Sequence, residues 1–174
     1  YQKRNYEQAF TDLGQVLHLI ADMSVPAHTR DDSHPTGDSY EQYLKSNWYA
    51  VRNTLNLNPN FSDYKVNQLE QAFDKSAYYS NANFYSDDTV ESNKYGIIKV
   101  NQYDKLILNN GDNSLVAVHF VENKKINLYL TEELFDWKNQ KEIKKITKSD
   151  FISNGYSQHL LPQAIGYSAG VIDL

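Results

Sequence analysis

Three of the five histidines in this chain, His18, His28 and His34, fall within 17 residues of one another, and acids crowd around them: Asp22, Asp31, Asp32, Asp38 and Glu41. Imidazole nitrogens and carboxylate oxygens are the donor set of zinc sites, with bonds of about 2.0–2.2 Å. His18 and Asp22 stand at i and i+4. On a helix they lie about 40° apart and project from one face. Gly14 shares that face and leaves room for another group. Taken alone, this pair has a plainer reading as a hydrogen bond between helical neighbours. His28 follows Asp22 by six residues. Pro26 forces the chain off the helix end, and a short extended exit can turn His28 back over the pair. His34 reads equally as a solvated loop histidine or as a ligand. Glu41 is also accounted for by a capping box with Asp38.

Four helices and a sheet must position these groups. Tyr6, Phe10, Leu13, Leu17 and Ile20 recur at helical spacing and predict an amphipathic helix over residues 3–23. Residues 27–37 read as a polar loop with Pro35 and Gly37 as breakers. Asp38 is the expected N-cap of a second helix that runs to about Leu55, NLNPNFSD (56–63) a loop, and a third helix is expected from about 63 to 80. The middle is rich in β-branched residues. IIKV at 97–100, KLILNNGDNSLVAVHFV at 105–121 and KINLYL at 125–130 predict an antiparallel meander, with NNGDN and ENKK as turns. TEELFDWKNQ returns towards helix or turn. HLLPQAIGYSAGVIDL, residues 159–174, reads as a buried closing helix with Pro162 in its first turn and small residues that permit close packing. His119, in a strand, and His159, at the start of that helix, are expected to be structural.

The bulk properties narrow the function. A chain of 174 residues suits one domain with a real core. With 17 Lys+Arg against 22 Asp+Glu, the net charge of −5 suggests no phosphate-tracking surface, so no stable nucleic-acid complex is expected. The lack of Cys excludes thiolate nucleophiles, Cys-ligated zinc and disulfides. No stretch approaches the ~20 apolar residues of a membrane span. Residue 1 is Tyr and the sole Met is Met23, so the chain is expected to be the C-terminal part of a longer one. Most of the 14 Tyr residues are expected to fill core and surface, although some could line a lipid or base pocket.

The run LGQVLHLIADMSVPAH, residues 13–28, resembles the zinc-dependent phospholipase C family and the related fungal-type zinc nucleases. Its pattern LxxxLHxxxDxxxPxH is met here by Leu13, Leu17, His18, Asp22, Pro26 and His28. SAYYSNANFYSDDT and the closing LLPQAIGYSAGVID also look like parts of bacterial relatives. The resemblance implies a mainly α-helical, phospholipase C/nuclease-like single domain over 1–174, with the β meander at about 94–131 as a small insertion. It implies that His18 and Asp22 bind one zinc, that Asp22 bridges towards a second, and that His28 binds another zinc with a further His and a Glu. His34 and Glu41 are the candidates for those two. Two departures stand out. The family's last His and Glu form HxxxE on one helix, whereas here Gly37 stands four before Glu41 and His34 seven before it. The family also takes ligands from upstream, and the residues before His18 supply no His.

Two functions follow. The first is a zinc-dependent phosphodiester hydrolase, phospholipase C-like, in which Asp31, Asp32 or Asp38 could hold or deprotonate the attacking water; Asp22 and Asp38 are the catalytic candidates. Its substrate would be a phospholipid or another phosphodiester, its location secreted or at the cell envelope, and nuclease specificity is possible on the same fold. The second is a non-catalytic helical domain with a partial or structural metal site, acting as a binding module.

Overall fold

The computed structural model describes residues 5–35, 37–55, 60–107, 113–136, 140–147 and 149–174. The first helix, α1 (Tyr6–Asp22), is capped by the Asn5 side chain, which accepts from the Gln8 N–H. Its apolar stripe packs only at one end. Ile20 is fully buried in a small core with Val66, Ala72 and Tyr167, while Tyr6 and Phe10 remain 59% and 70% exposed. Pro26 does more than stop α1. Its fixed φ and missing N–H suit a first helical position, and it opens a short second helix, α2 (Pro26–Thr29). His28 therefore sits on a helical turn rather than on an extended exit.

Asp38 caps α3 (Ser39–Thr54) as the sequence predicts, its carboxylate accepting from the Tyr40 N–H at 2.8 Å. Beyond a 3₁₀ turn at Phe61–Tyr64, α4 (Leu69–Asn83) starts later than expected. Its buried face carries Ala72, Ser76 and Ser80, small residues four apart, and α2 packs against this helix. Thr29 reaches across to Ser80, hydroxyl to hydroxyl, at 3.2 Å.

The expectation of a mainly helical body with a small β insertion is overturned. The described residues form a mixed α/β fold, five α-helices and a four-stranded antiparallel meander in the order β1-β2-β3-β4. The strands are β1 (Gln102–Ile107), β2 (Asn113–Val121), β3 (Lys124–Asp136) and β4 (Lys141–Thr147). IIKV stays outside them, and TEELFD, expected as helix or turn, extends β3. The NNGDN turn lies outside the described residues except for Asn113, as do residues 56–59 of the loop before α4. ENKK does make the β2–β3 turn, with Glu122 and Asn123 at φ +48° and +64°.

The sheet is central because it supplies half of the larger core. Val116, Val118, Ile126, Leu128 and Leu130 pack with Ile152, Tyr156 and Leu160 of α5 (Asp150–Ile172), with Tyr40 of α3, and with Phe84 and Tyr85. Removing this much apolar surface from water is the main stabilising term of such a domain. Where the register slips between Ala117 and Val118, β3 holds one extra residue, Leu128. Its carbonyl accepts from the buried Tyr156 hydroxyl at 2.8 Å. The closing helix α5 starts nine residues before His159, so Pro162 lies inside it rather than in its first turn. Gly166 is needed there: a Cβ would stand 2.5 Å from the Tyr64 ring.

Candidate metal centre

Two imidazoles converge on one carboxylate. His28 Nε2 lies 3.6 Å from Glu41 Oε1, and His34 Nε2 lies 3.5 Å from Glu41 Oε2. The two rings meet edge to face, 5.1 Å between centroids. One ligand atom from each of the three residues falls within 4.8 Å of the others, and this is the one such trio among the described residues. The separations exceed those of good hydrogen bonds. Each imidazole faces a different oxygen of Glu41, and either separation is close to the roughly 3.4 Å between two donors bonded at about 2.1 Å to one tetrahedral ion.

Each of the three side chains arrives by a separate local device. His28 comes from the last residues of α2, which Pro26 initiates. His34 follows a turn in which Asp31 takes φ +52° and the Asp32 N–H bonds the Ala27 carbonyl at 3.0 Å. Glu41 stands in the first turn of α3, where the helix dipole favours an anion. The chain between His34 and α3 reverses through Gly37 at φ +89°, whose N–H bonds the His34 carbonyl at 2.9 Å. An L side chain is strained at that φ. The position four before Glu41 is therefore suited to glycine, and the histidine beside Glu41 is His34 of the preceding loop.

The tautomer of His34 is also set. Its Nδ1 lies 2.8 Å from the Asp32 carbonyl oxygen, which can only accept, so Nδ1 carries the proton. In the neutral ring Nε2, on the side of Glu41, is then the unprotonated nitrogen, and metal-binding histidines commonly hold their other ring N–H on a carbonyl in this way. The Asp32 carbonyl is also the largest influence raising the His34 pKa; burial opposes it, and the charges of Glu41, Asp38 and Asp32 add to the rise. The His28, His34 and Glu41 side chains are 34%, 22% and 38% exposed, so the centre opens to solvent.

The other residues singled out by sequence take different places. His18 Nε2 stands 3.5 Å from Asp22 Oδ2, with the His18 side chain 75% exposed, and neither belongs to the trio. The helical neighbour pair forms, and the space beside Gly14 is open, with nothing within 4 Å of where a Cβ would stand. Asp38 is buried as the α3 cap. Asp32 is buried too, its Oδ2 accepting from the Asp88 N–H at 3.4 Å. Asp31 is exposed. His119 lies between Asn83 on one side and Lys99 and Asn101 on the other. His159 bonds the Lys125 carbonyl from α5.

Sequence reasoning passed over Arg30, Asp87 and Thr89, which make hydrogen bonds between the chain around residues 86–89 and the segments that carry His28 and Glu41. The available signal was an arginine inside an acid-rich loop between two candidate ligands. No helix among the described residues is long and apolar enough to cross a membrane. Set against protein-family models, curated proteins and solved structures, the chain matches none of them.

Proposed function

We propose that this protein is a zinc-dependent phosphodiester hydrolase whose metal ligands are His28, His34 and Glu41. The observation that carries the reading is the convergence of two imidazole Nε2 atoms on one carboxylate, at 3.6 and 3.5 Å, in a solvent-open place. The donor chemistry fits zinc. Two His and one Glu are a known three-ligand set, and such sites leave a fourth position for water or substrate. A zinc ion there would supply a Lewis acid for a phosphoryl oxygen and would lower the pKa of a bound water towards ~7. The chain's own groups do the rest of the preparation. The Asp32 carbonyl holds the His34 Nδ1–H and fixes the ring. Glu41 adds the negative charge that favours a cation between the imidazoles. Asp38 keeps the first turn of α3 in place and so sets the position of Glu41. A proton acceptor for the attacking water would come from Asp31, Asp32 or Asp38, of which Asp31 alone is exposed.

A second reading, a single metal held for binding or structure, draws on the separation of His18 and Asp22 from the trio. Hydrolysis of bis(4-nitrophenyl) phosphate and of phosphatidylcholine vesicles by the zinc-loaded protein decides between them. Turnover that is lost on chelation, restored by zinc and lost in Glu41→Gln supports the hydrolase. Stoichiometric zinc binding with no turnover of either substrate supports the second reading and overturns the first.

A further inference from the structure

Between His28 and His34 lies a buried cation, Arg30, 3% exposed. Its five N–H donors are all used. Nε donates to Thr89 Oγ1 at 2.9 Å, Nη1 to the Asn81 carbonyl at 2.5 Å and Asn81 Oδ1 at 3.3 Å, and Nη2 to the carbonyls of Tyr95 and Gly96 at 2.8 and 2.6 Å. The guanidinium also lies over the Tyr85 ring, 5.0 Å from its centroid. These acceptors are neutral. A buried cation is costly unless it is fully hydrogen-bonded, which needs acceptors held in place. Here they are fixed, because they belong to the end of α4, to a 3₁₀ turn at Asp87–Thr89 and to the turn at Gly96, φ +82°.

The three residues of that 3₁₀ turn each grip a different part of the metal centre. The Asp87 carboxylate accepts from the Ser39 N–H at 2.8 Å and from its hydroxyl at 2.6 Å, which anchors α3 two residues before Glu41. The Asp88 N–H donates to Asp32, the residue whose carbonyl holds His34. Thr89 receives Arg30, two residues after His28. The centre itself is drawn from two separate segments, and this turn bonds to both.

We infer that Arg30 and the Asp87–Thr89 turn form a positioning bracket that sets the distance between the two imidazoles and Glu41. The inference rests on the metal reading of that trio. Such residues touch no ligand, yet groups that orient metal ligands are worth roughly 10–100-fold in affinity.

The test uses cobalt(II) as the metal, titrated into the full chain and read by its visible absorption. Melting temperature and far-ultraviolet circular dichroism are measured on the same samples. Asp87→Ala changes an exposed side chain and should leave the fold intact. It should weaken cobalt binding about tenfold or more and alter the visible band, with Asp87→Asn intermediate. Arg30→Lys, which loses the planar fork, should do the same at a larger cost in melting temperature. Arg52→Ala, a surface arginine stacked on Tyr49, should change neither. Variants that melt earlier but keep the parent affinity and band would overturn the bracket while leaving the metal site standing. A parent protein that takes up no cobalt would overturn both.

Discussion

Replacing Glu41 by Gln separates the charge of the centre from its shape. Gln keeps the volume and one carbonyl-type oxygen, but it removes the anion that faces His28 Nε2 and His34 Nε2 at 3.6 and 3.5 Å. A four-ligand structural zinc site is worth about 10–16 kcal/mol, so one ligand carries about 2.5–4 kcal/mol, or roughly 10²–10³-fold in affinity. Glu41 is 38% exposed and has two imidazoles as its partners, so its loss should cost the apo protein little, within about 0.5 kcal/mol. The two effects can be read in one experiment. At a free zinc concentration of 100 times the parent Kd, binding stabilises the fold by about 2.7 kcal/mol, which for this size of chain is a rise of roughly 5–11 °C in Tm. A variant that binds 100-fold more weakly gains only about 0.4 kcal/mol, near 1 °C, at the same free zinc. Scanning calorimetry with buffered zinc measures both. A Glu41→Gln protein with the full parental zinc shift would refute the assignment of this carboxylate as a ligand.

Other outcomes follow from the same geometry. His18→Ala should leave the first equivalent of zinc bound within about threefold of the parent, by competition with a chromophoric chelator, because His18 stands outside the trio; a 100-fold loss would move the centre onto α1. Gly170→Ala should destabilise the protein in urea melts, since the new Cβ would collide with the Tyr64 carbonyl oxygen. Overpacking of about 1–3 kcal/mol, at the upper end because backbone must move, outweighs the ~1 kcal/mol gained in helix propensity. His159 gives the pH dependence. Burial, opposed by its bond to the Lys125 carbonyl and helped by the nearby Lys124 charge, holds its pKa below the ordinary 6.5. The unfolded chain therefore binds a proton that the folded one refuses, and this contribution, present above pH 6.5, is lost as pH falls through the folded pKa. Chemical denaturation between pH 7.5 and 5 should show a smaller loss for His159→Gln than for the parent.

Local signals carried much of the helical plan. The stop at Asp22, the Asp38 cap and the tight β2–β3 turn follow from proline geometry, a side-chain acceptor at a helix start and residues that tolerate positive φ. The candidate ligands His28, His34 and Glu41 could be named because imidazole and carboxylate groups clustered in a short stretch. The role of the sheet was not legible. Alternating β-branched residues announce strands, but they do not say whether the strands decorate a helical body or fill half its core. That depends on the long-range packing of β2 and β3 against α5.

The primary structure by itself decided which groups were available for metal chemistry, and where the backbone had to turn: Pro26, Gly37 and the acids in between are local facts. The tertiary structure alone decided the partnership. Helical spacing favoured His18 with Asp22, since neighbours on one helix meet by construction. The folded chain instead gathers a trio across two segments, because Arg30, Asp87 and Asp88 bond to or from elements 48 or more residues away. Contacts of that range follow from where whole elements pack, and no window along the chain contains them.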